Sequence, residues 1–446
     1  MTNEKRALLV EGPVGRILVK LTIPMIFGIV GIVAFNLVDA FFVGQLGTNE
    51  LAALSFTFPV VLVIASLAHG LGIGASAVIS RAIGEGNHHK VQRLTTDSLI
   101  LAILIVVFFV TIGLLTIDPI FRLLGATPEI VSLIKQYMRI WYFGMIFVVV
   151  PMVGNNGIRA TGDTKTPSII MLTAATMNSI LDPLLIFGIG PFPRLGLAGA
   201  AIATVIARSI TLVVALYVLI HREKMISFKR CELAAIFNSW KKILYIGLPA
   251  AGARIIIPLT TGVITVILAK YGPAVVAGYG VSSRIEFFAI TVVSALSTVI
   301  TPFVGQNWGA GKHERVFSCI KYSNQFSLGW GATMYLILAL AARPIASVFS
   351  NNPLVTSTIM LYLWVVPIGF GLQGVFLIST SAMNALNKPL HAAILSVIQM
   401  FALYIPLSFV GSYIFGIPGV FGALALAYCA GGIVSRLVLN RIFIRI

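Results

Sequence analysis

Charge is scarce in this sequence. Only 10% of its 446 residues are charged, and 14 are acidic against 31 basic. With 58% hydrophobic residues and a mean hydropathy of +1.00, the chain cannot be wrapped into water-soluble globules. Cysteine is nearly absent: Cys231, Cys319 and Cys429 stand alone, without CxxC or zinc spacing, which excludes a disulfide framework and a metal cage. Alternating strand patterning is missing, which excludes a β-barrel. No HExxH, phosphate loop, nucleophile elbow or glycine-rich filter occurs in a fitting context, so neither an enzyme nor a passive channel is expected. The start lacks the short apolar stretch and small-residue cut site of a cleaved signal. The net charge of +17 does not mark a nucleic-acid binder, because the bases sit in short loops rather than beside aromatics on a soluble module.

What is present is one bilayer-length apolar run after another. The pattern predicts an all-α membrane protein with twelve transmembrane helices: 16–45, 51–80, 91–116, 130–155, 167–188 and 197–220, then 243–269, 275–303, 316–342, 353–381, 390–415 and 420–442. A basic connector, His221–Lys242, separates the halves and carries Arg222, Lys224, Lys229, Arg230, Lys241 and Lys242. Lys5, Arg6, Arg16, Lys20, Arg81, Lys90, Arg93, Arg159, Lys165, Lys312, Arg315, Lys388, Arg441 and Arg445 fall on the connector's side; the other side has little beyond Arg122, Arg194, Lys270 and Arg343. The positive-inside rule places both termini and the connector in the cytoplasm.

The chain repeats itself. A shift of 225 residues lays Pro24 on Pro249, Leu46-Gly47 on Tyr271-Gly272, Ala52 on Ala277, and Gly84-Glu-Gly86 on Gly309-Ala-Gly311. Arg159-Ala160 then falls on Asn384-Ala385, and a two-residue deletion aligns Lys165 with Lys388. Six helices repeated in one orientation give two lobes related by an axis along the membrane normal, the parallel-repeat design of secondary transporters. The expected organisation is an amino-terminal lobe (1–221), the connector (222–242) and a carboxy-terminal lobe (243–446).

The fifth span holds Asn178-Ser-Ile-Leu-Asp182-Pro183. A carboxylate four residues after a carboxamide shares its helix face. Pro183 cannot donate to the Ser179 carbonyl, which frees a further oxygen. Placing an Asp in hydrocarbon costs roughly 2.5–3.5 kcal/mol on insertion scales, so a working site is the stronger reading than an interhelical glue that amides would supply more cheaply. Asp39 and Asp182 each lie about six residues inside the outer end of a span, and Thr204 about seven into the sixth, all near 10 Å deep at ~1.5 Å per residue. Tyr137 comes out slightly deeper. The repeat supplies no acid at Ile264, the counterpart of Asp39, or anywhere in the eleventh span. Two carboxylates a few ångströms apart cannot both stay charged without a partner, so a proton or a cation is implied.

Other polar residues inside the spans carry two readings each. Arg284 and Glu286 contact substrate or control lobe closure, or else pair with neighbours such as Arg254 for packing. Asn155 and Asn156, near the inner end of the fourth span, are candidate gate residues.

Several motifs together resemble one family. Pro24 with Asn36-Leu-Val-Asp39, the Arg159-Ala-Thr-Gly162-Asp-Thr-Lys165 loop, Asn178-Ser-Ile-Leu-Asp182-Pro183 and Gly199-Ala-Ala-Ile-Ala-Thr204 are similar to those of the multidrug and toxic compound extrusion (MATE) transporters, in their DinF-like prokaryotic branch. The resemblance implies an antiporter that binds H+ or Na+ at Asp39, Asn178, Asp182 and Thr204, with Tyr137 nearby. It also implies a first helix that bends near Pro24, and Pro183 is a second hinge candidate. The NorM-like branch uses acids in the seventh and tenth spans, which are missing here. The expected activity is export of drugs, as organic cations or amphiphiles, by alternating access, with no cofactor beyond H+ or Na+. Membrane lipid surrounds the chain, no nucleic-acid partner is expected, and a monomer suffices. A lipid-linked precursor flippase is the alternative; it would line its cavity with bases for pyrophosphate, and Arg254 and Arg284 alone look available.

Overall fold

A computed structural model describes residues 9–227 and 232–444; Lys5, Arg6, Lys229, Arg230, Cys231 and Arg445 lie outside the described residues. Regular structure among the described residues is all helix, with no strand. Ten helices are long and apolar enough to cross a bilayer, and two bent pairs raise the number to twelve. In a solvent that offers no hydrogen bonds, each span must satisfy its own backbone, which only the helix does within one segment.

The first three spans are α1 (Val14–Gly44), α2 (Thr48–Gly84) and α3 (His88–Leu123). The fourth is a pair, α4 (Pro128–Gly144) and α5 (Ile146–Ala160), bent by 41°. The fifth and sixth are α6 (Lys165–Phe187) and α7 (Leu197–Tyr217), the latter extended by a π-helical turn over Val218–Arg222. In the second half, α8 (Leu233–Ala269) and α9 (Pro273–Gly309) are followed by α10 (His313–Leu340) and α11 (Ala342–Phe349), which bend by 63°. The tenth span joins α12 (Pro353–Val365) to α13 (Phe370–Ala385) through a 3-10 turn that contains Pro367. The eleventh joins α14 (Pro389–Val397) to α15 (Ile405–Phe415) through a π-helical stretch, Ile398–Tyr404, and α16 (Ile417–Ile444) closes the chain.

The chain divides into two compact units, Ile23–Leu248 and Leu9–Thr22 with Pro249–Ile446. Each has its own buried apolar cluster. The division falls inside α1 and α8, one residue before Pro24 and at Pro249, rather than at the 222–242 connector. Both prolines remove a helical hydrogen bond, so a change of allegiance within one continuous helix costs least there.

Side-chain bonds explain why the flanking segments group as they do. The connector belongs to the amino unit: Gln92 donates to the Lys224 carbonyl at 3.0 Å, the Ser227 amide to Thr96 Oγ1 at 3.0 Å, and Trp240 Nε1 to the Asp97 carbonyl at 2.9 Å. From Leu233 onward it is already α8. Leu9–Thr22 belongs to the carboxy unit, where Asn307 donates to the Leu9 carbonyl at 3.0 Å, Lys312 to that of Val10 at 3.0 Å and Arg315 to that of Gly12 at 2.7 Å.

Candidate ion-coupling site

The site is built in the amino unit by α1, α6 and α7 held at close range, with α4 beside them. At its start α6 is pinned by Asp163, whose Oδ1 accepts from the Thr166 amide at 3.0 Å and whose Oδ2 accepts from the Thr166 hydroxyl at 2.6 Å. Arg222 grips the same corner through Asp163, Thr166 and Glu223. At its far end α6 stops on Gly188 in the left-handed region (φ 73°), and the chain turns back so that Leu195 and Gly196 donate to the Leu185 and Ile186 carbonyls at 3.0 and 3.1 Å. A Cβ at Gly199 would meet the Leu185 carbonyl oxygen at 2.4 Å, so only glycine lets α7 lie this close to α6. That approach sets Thr204 opposite Asn178.

Helix α1 runs alongside α6 in parallel register. A Cβ at Gly28 would touch Ser168 at 3.2 Å and one at Gly31 would meet Leu172 at 2.6 Å, while the Phe42 and Phe187 rings meet edge to face at 6.2 Å. Between those fixed points the register carries Asp39 to the level of Asp182. The two carboxylates lie within electrostatic range of one another and of Tyr137, a 6% exposed residue on α4.

The hydrogen-bond inventory is unbalanced. Asn178 donates its amide to Thr204 Oγ1 at 3.3 Å. Asp39 Oδ1, Asn178 Oδ1 and both oxygens of Asp182 are buried with no hydrogen-bond partner. Buried acceptors without donors are costly, most of all when two belong to one carboxylate. The all-oxygen donor set fits a proton or a small cation, either of which would supply what the protein leaves out. No group of three or more His, Cys, Asp and Glu side chains gathers among the described residues, so the set differs from a transition-metal cage.

The five residues read as one constellation, Asp39, Tyr137, Asn178, Asp182 and Thr204, thus converge in one unit. Pro24 lies inside α1 and Pro183 inside α6. Asn155 and Asn156 are buried on α5, where Asn156 donates to the Met152 carbonyl at 2.8 Å and packs against Gly72. In the carboxy unit, Arg284 is exposed and Glu286 half-buried, and the acid accepts hydrogen bonds from Tyr362 and Tyr428 rather than pairing with Arg254. One neighbour escaped the sequence reading: Arg208 stacks over the Phe35 ring at 5.2 Å. The signal was available, since Arg208 is one turn from Thr204 and Phe35 one turn from Asp39.

The MatE family pattern matches residues 24–184 and again 249–410, beginning each time at the repeat-related proline. The chain belongs to the MATE transporter family. It is 40% identical over 97% of its length to a FAD transporter of Shewanella oneidensis, covering 96% of that protein. It is 26% identical over 96% of its length to the multidrug export protein MepA of Staphylococcus haemolyticus, covering 93% of it. Among solved structures, a point mutant of the Vibrio cholerae MATE transporter VcmN shares the fold at a TM-score of 0.93 and 30% identity, with 100% of this chain and 99% of that one covered. As a MATE transporter the chain is a multi-pass membrane protein of about twelve spans that moves a small molecule, and it is not an enzyme.

Proposed function

We propose that this MATE transporter exports an anionic flavin dinucleotide, or a close chemical relative, in exchange for H+ or Na+ taken up at Asp39 and Asp182. The coupling half of the reading rests on one observation: four buried oxygens on three side chains are left without a hydrogen bond of regular geometry, the Asn178 amide beside Asp182 being committed to Thr204. An ion that enters neutralises the pair, changes the field along α1 and favours a different bend at Pro24. Alternating access then links the occupant of that cluster to the side on which substrate is released.

The substrate half departs from the organic cations that the sequence suggested. Arg208 in the amino unit, and Arg254 and Arg284 in the carboxy unit, lie within spans and form no ion pair among the described residues. Guanidinium groups without carboxylates suit a phosphate and repel a cation. The relative that shares 40% identity is named for FAD, while the drug exporter shares 26%. The membrane potential assists such cargo: about 2.3 kcal/mol per charge per 100 mV drives anions out of a negative interior.

The reading includes a bacterial cell membrane with both termini cytoplasmic, as the basic loops direct, and a working monomer. The lack of acids in the seventh and tenth spans supports the DinF-like branch. Export of organic cations is the second reading, favoured by the MepA similarity. Proteoliposomes loaded with FAD or with ethidium, under separately imposed pH, Na+ and voltage gradients, decide between them. FAD efflux stimulated by an ion gradient supports the proposal, and ethidium efflux alone refutes the substrate. Movement of a fluorescent polyprenyl pyrophosphate instead of either would identify a flippase.

A further inference from the structure

The carboxy unit holds one in-span carboxylate that coupling through Asp39 and Asp182 leaves unused. Glu286 sits on α9 with one hydrogen bond to each oxygen, donated by Tyr362 on α12 and Tyr428 on α16. Tyr279, two turns earlier on α9, has its ring 6.1 Å from that of Tyr362. Tyr404, in the π-helical stretch of the eleventh span, completes the cage within electrostatic range of Glu286. All four tyrosines are at least nine-tenths buried, at 6%, 1%, 3% and 7% exposure for Tyr279, Tyr362, Tyr404 and Tyr428. The Tyr404 hydroxyl is buried beside that of Tyr279, and one turn on, Ser408 Oγ is buried with no hydrogen-bond partner. Neither Arg284 on the same helix nor Arg254 on α8 forms an ion pair with the acid among the described residues.

The repeat gives this cage its meaning. Tyr362 is the counterpart of Tyr137 at the 225-residue shift. Beyond the deletion the shift is 223, which lays Asp182-Pro183 on Ile405-Pro406 and Gly188, Gly196 and Gly199 on Gly411, Gly419 and Gly422. Tyr404 then precedes the Asp182 counterpart by one residue, and Tyr428 follows the Thr204 counterpart, Ala427, by one. Three of the four spans that assemble the amino-unit cluster, the fourth, fifth and sixth, are therefore matched by the tenth, eleventh and twelfth, which supply Tyr362, Tyr404 and Tyr428, while the carboxylate lies on the eighth with Tyr279.

We propose that Glu286 and its tyrosines form a second ion-exchange site, specific for a proton, so that each unit loads and releases its own H+ or cation. The donor chemistry selects the proton. Tyr362 and Tyr428 turn their O–H groups toward the acid, whereas a metal ion needs oxygen lone pairs from several ligands and would find a single carboxylate. A proton arriving from water adds to a Glu286 oxygen, converts one acceptor into a donor and displaces one tyrosine bond. It leaves by the reverse step toward the other side. Tyr404, beside Tyr279 and within electrostatic range of the acid, offers a hydroxyl oxygen to the new donor. A carboxylate in hydrocarbon supported by neutral donors alone gains most from such neutralisation.

The test needs no transport substrate. The full-length protein in lipid nanodiscs is titrated while proton uptake is counted and carboxyl C=O stretches are followed by infrared difference spectroscopy. Wild type should show a carboxyl signal and a unit of proton uptake that vanish in Glu286→Gln and persist in Asp39→Asn/Asp182→Asn. Tyr362→Phe, which keeps the acid and all packing but one hydroxyl, should move both the band and its pH midpoint. Uptake and spectrum unchanged in Glu286→Gln, or a Glu286 signal insensitive to Tyr362→Phe, would overturn the proposal and leave a fixed structural pin. Because FAD is absent throughout, a wrong substrate cannot mimic either result.

Discussion

Asn178 donates its amide to the Thr204 hydroxyl at 3.3 Å and so keeps its carbonyl oxygen free for the same cluster as Asp182. The same amide stands beside Asp182, so the bond to Thr204 holds it short of full engagement with the acid. Thr204→Val keeps the shape and removes the acceptor, which lets the Asn178 amide turn wholly to Asp182 and compete with the ion. Apparent affinity for the coupling ion should fall about tenfold, the effect of ~1.4 kcal/mol, with a folded protein and a similar maximal rate. Transport titrated against the driving ion measures it; an unchanged half-saturation would remove Thr204 from the site.

Gly199 controls the spacing that brings α6 and α7 together. Because its Cβ would sit 2.4 Å from a backbone oxygen, Gly199→Ala must push the helices apart. A loss of about 1–3 kcal/mol is expected from overpacking, read as a lower melting temperature in detergent, together with loss of coupled transport. A control exists in Gly329, an exposed helical glycine on α10 where a Cβ meets nothing within 4 Å.

Pro24 lies one residue inside the amino unit, on a helix whose first part belongs to the carboxy unit. Pro24→Ala restores a backbone donor inside α1, which is worth up to about 3 kcal/mol in a helix interior. Thermal stability should rise while export falls tenfold or more at saturating substrate, roughly 1.4 kcal/mol of barrier per decade. Stability and transport rising together would exclude a hinge.

Much of this was legible beforehand. Long apolar runs announce spans, and loop bases announce an order, because the bilayer penalises exceptions to both. The grouping of Asp39 with Asp182 was readable because an acid inside a span is rare and its depth follows from helical rise. The breaks within spans were less visible. Pro367 marks the tenth, but the bend at Met145 has no proline at the break; it follows Gly144, where Val205 would lie 2.2 Å from an added Cβ. The Glu286 cage was out of reach, because its tyrosines come from four separated stretches and tyrosine is unremarkable in any one of them. The allegiance of Leu9–Thr22 depends on Arg315 and Lys312 reaching backbone carbonyls some 300 positions away, which leaves no pattern in the letters.

Arg208 separates the two substrate readings. Arg208→Ala should raise the KM for FAD about tenfold, ~1.4 kcal/mol, and leave ion uptake at Asp39 and Asp182 intact. Arg208→Lys keeps the charge but loses the planar stack on Phe35, and should recover only part of the loss. A KM for FAD that ignores both substitutions would separate Arg208 from substrate.

The central claim concerns the ion, and it can be measured whichever cargo the wild type exports. Purified protein in liposomes is given an inward H+ gradient or an inward Na+ gradient, with FAD or ethidium trapped inside. Gradient-driven release of the trapped cargo is followed for wild type, Asp39→Asn, Asp182→Asn and the double variant. Gradient-driven exchange in wild type, lost in each single variant and no worse in the double, is the predicted result, since the two acids share one occupant. Undiminished exchange in the double variant would contradict it.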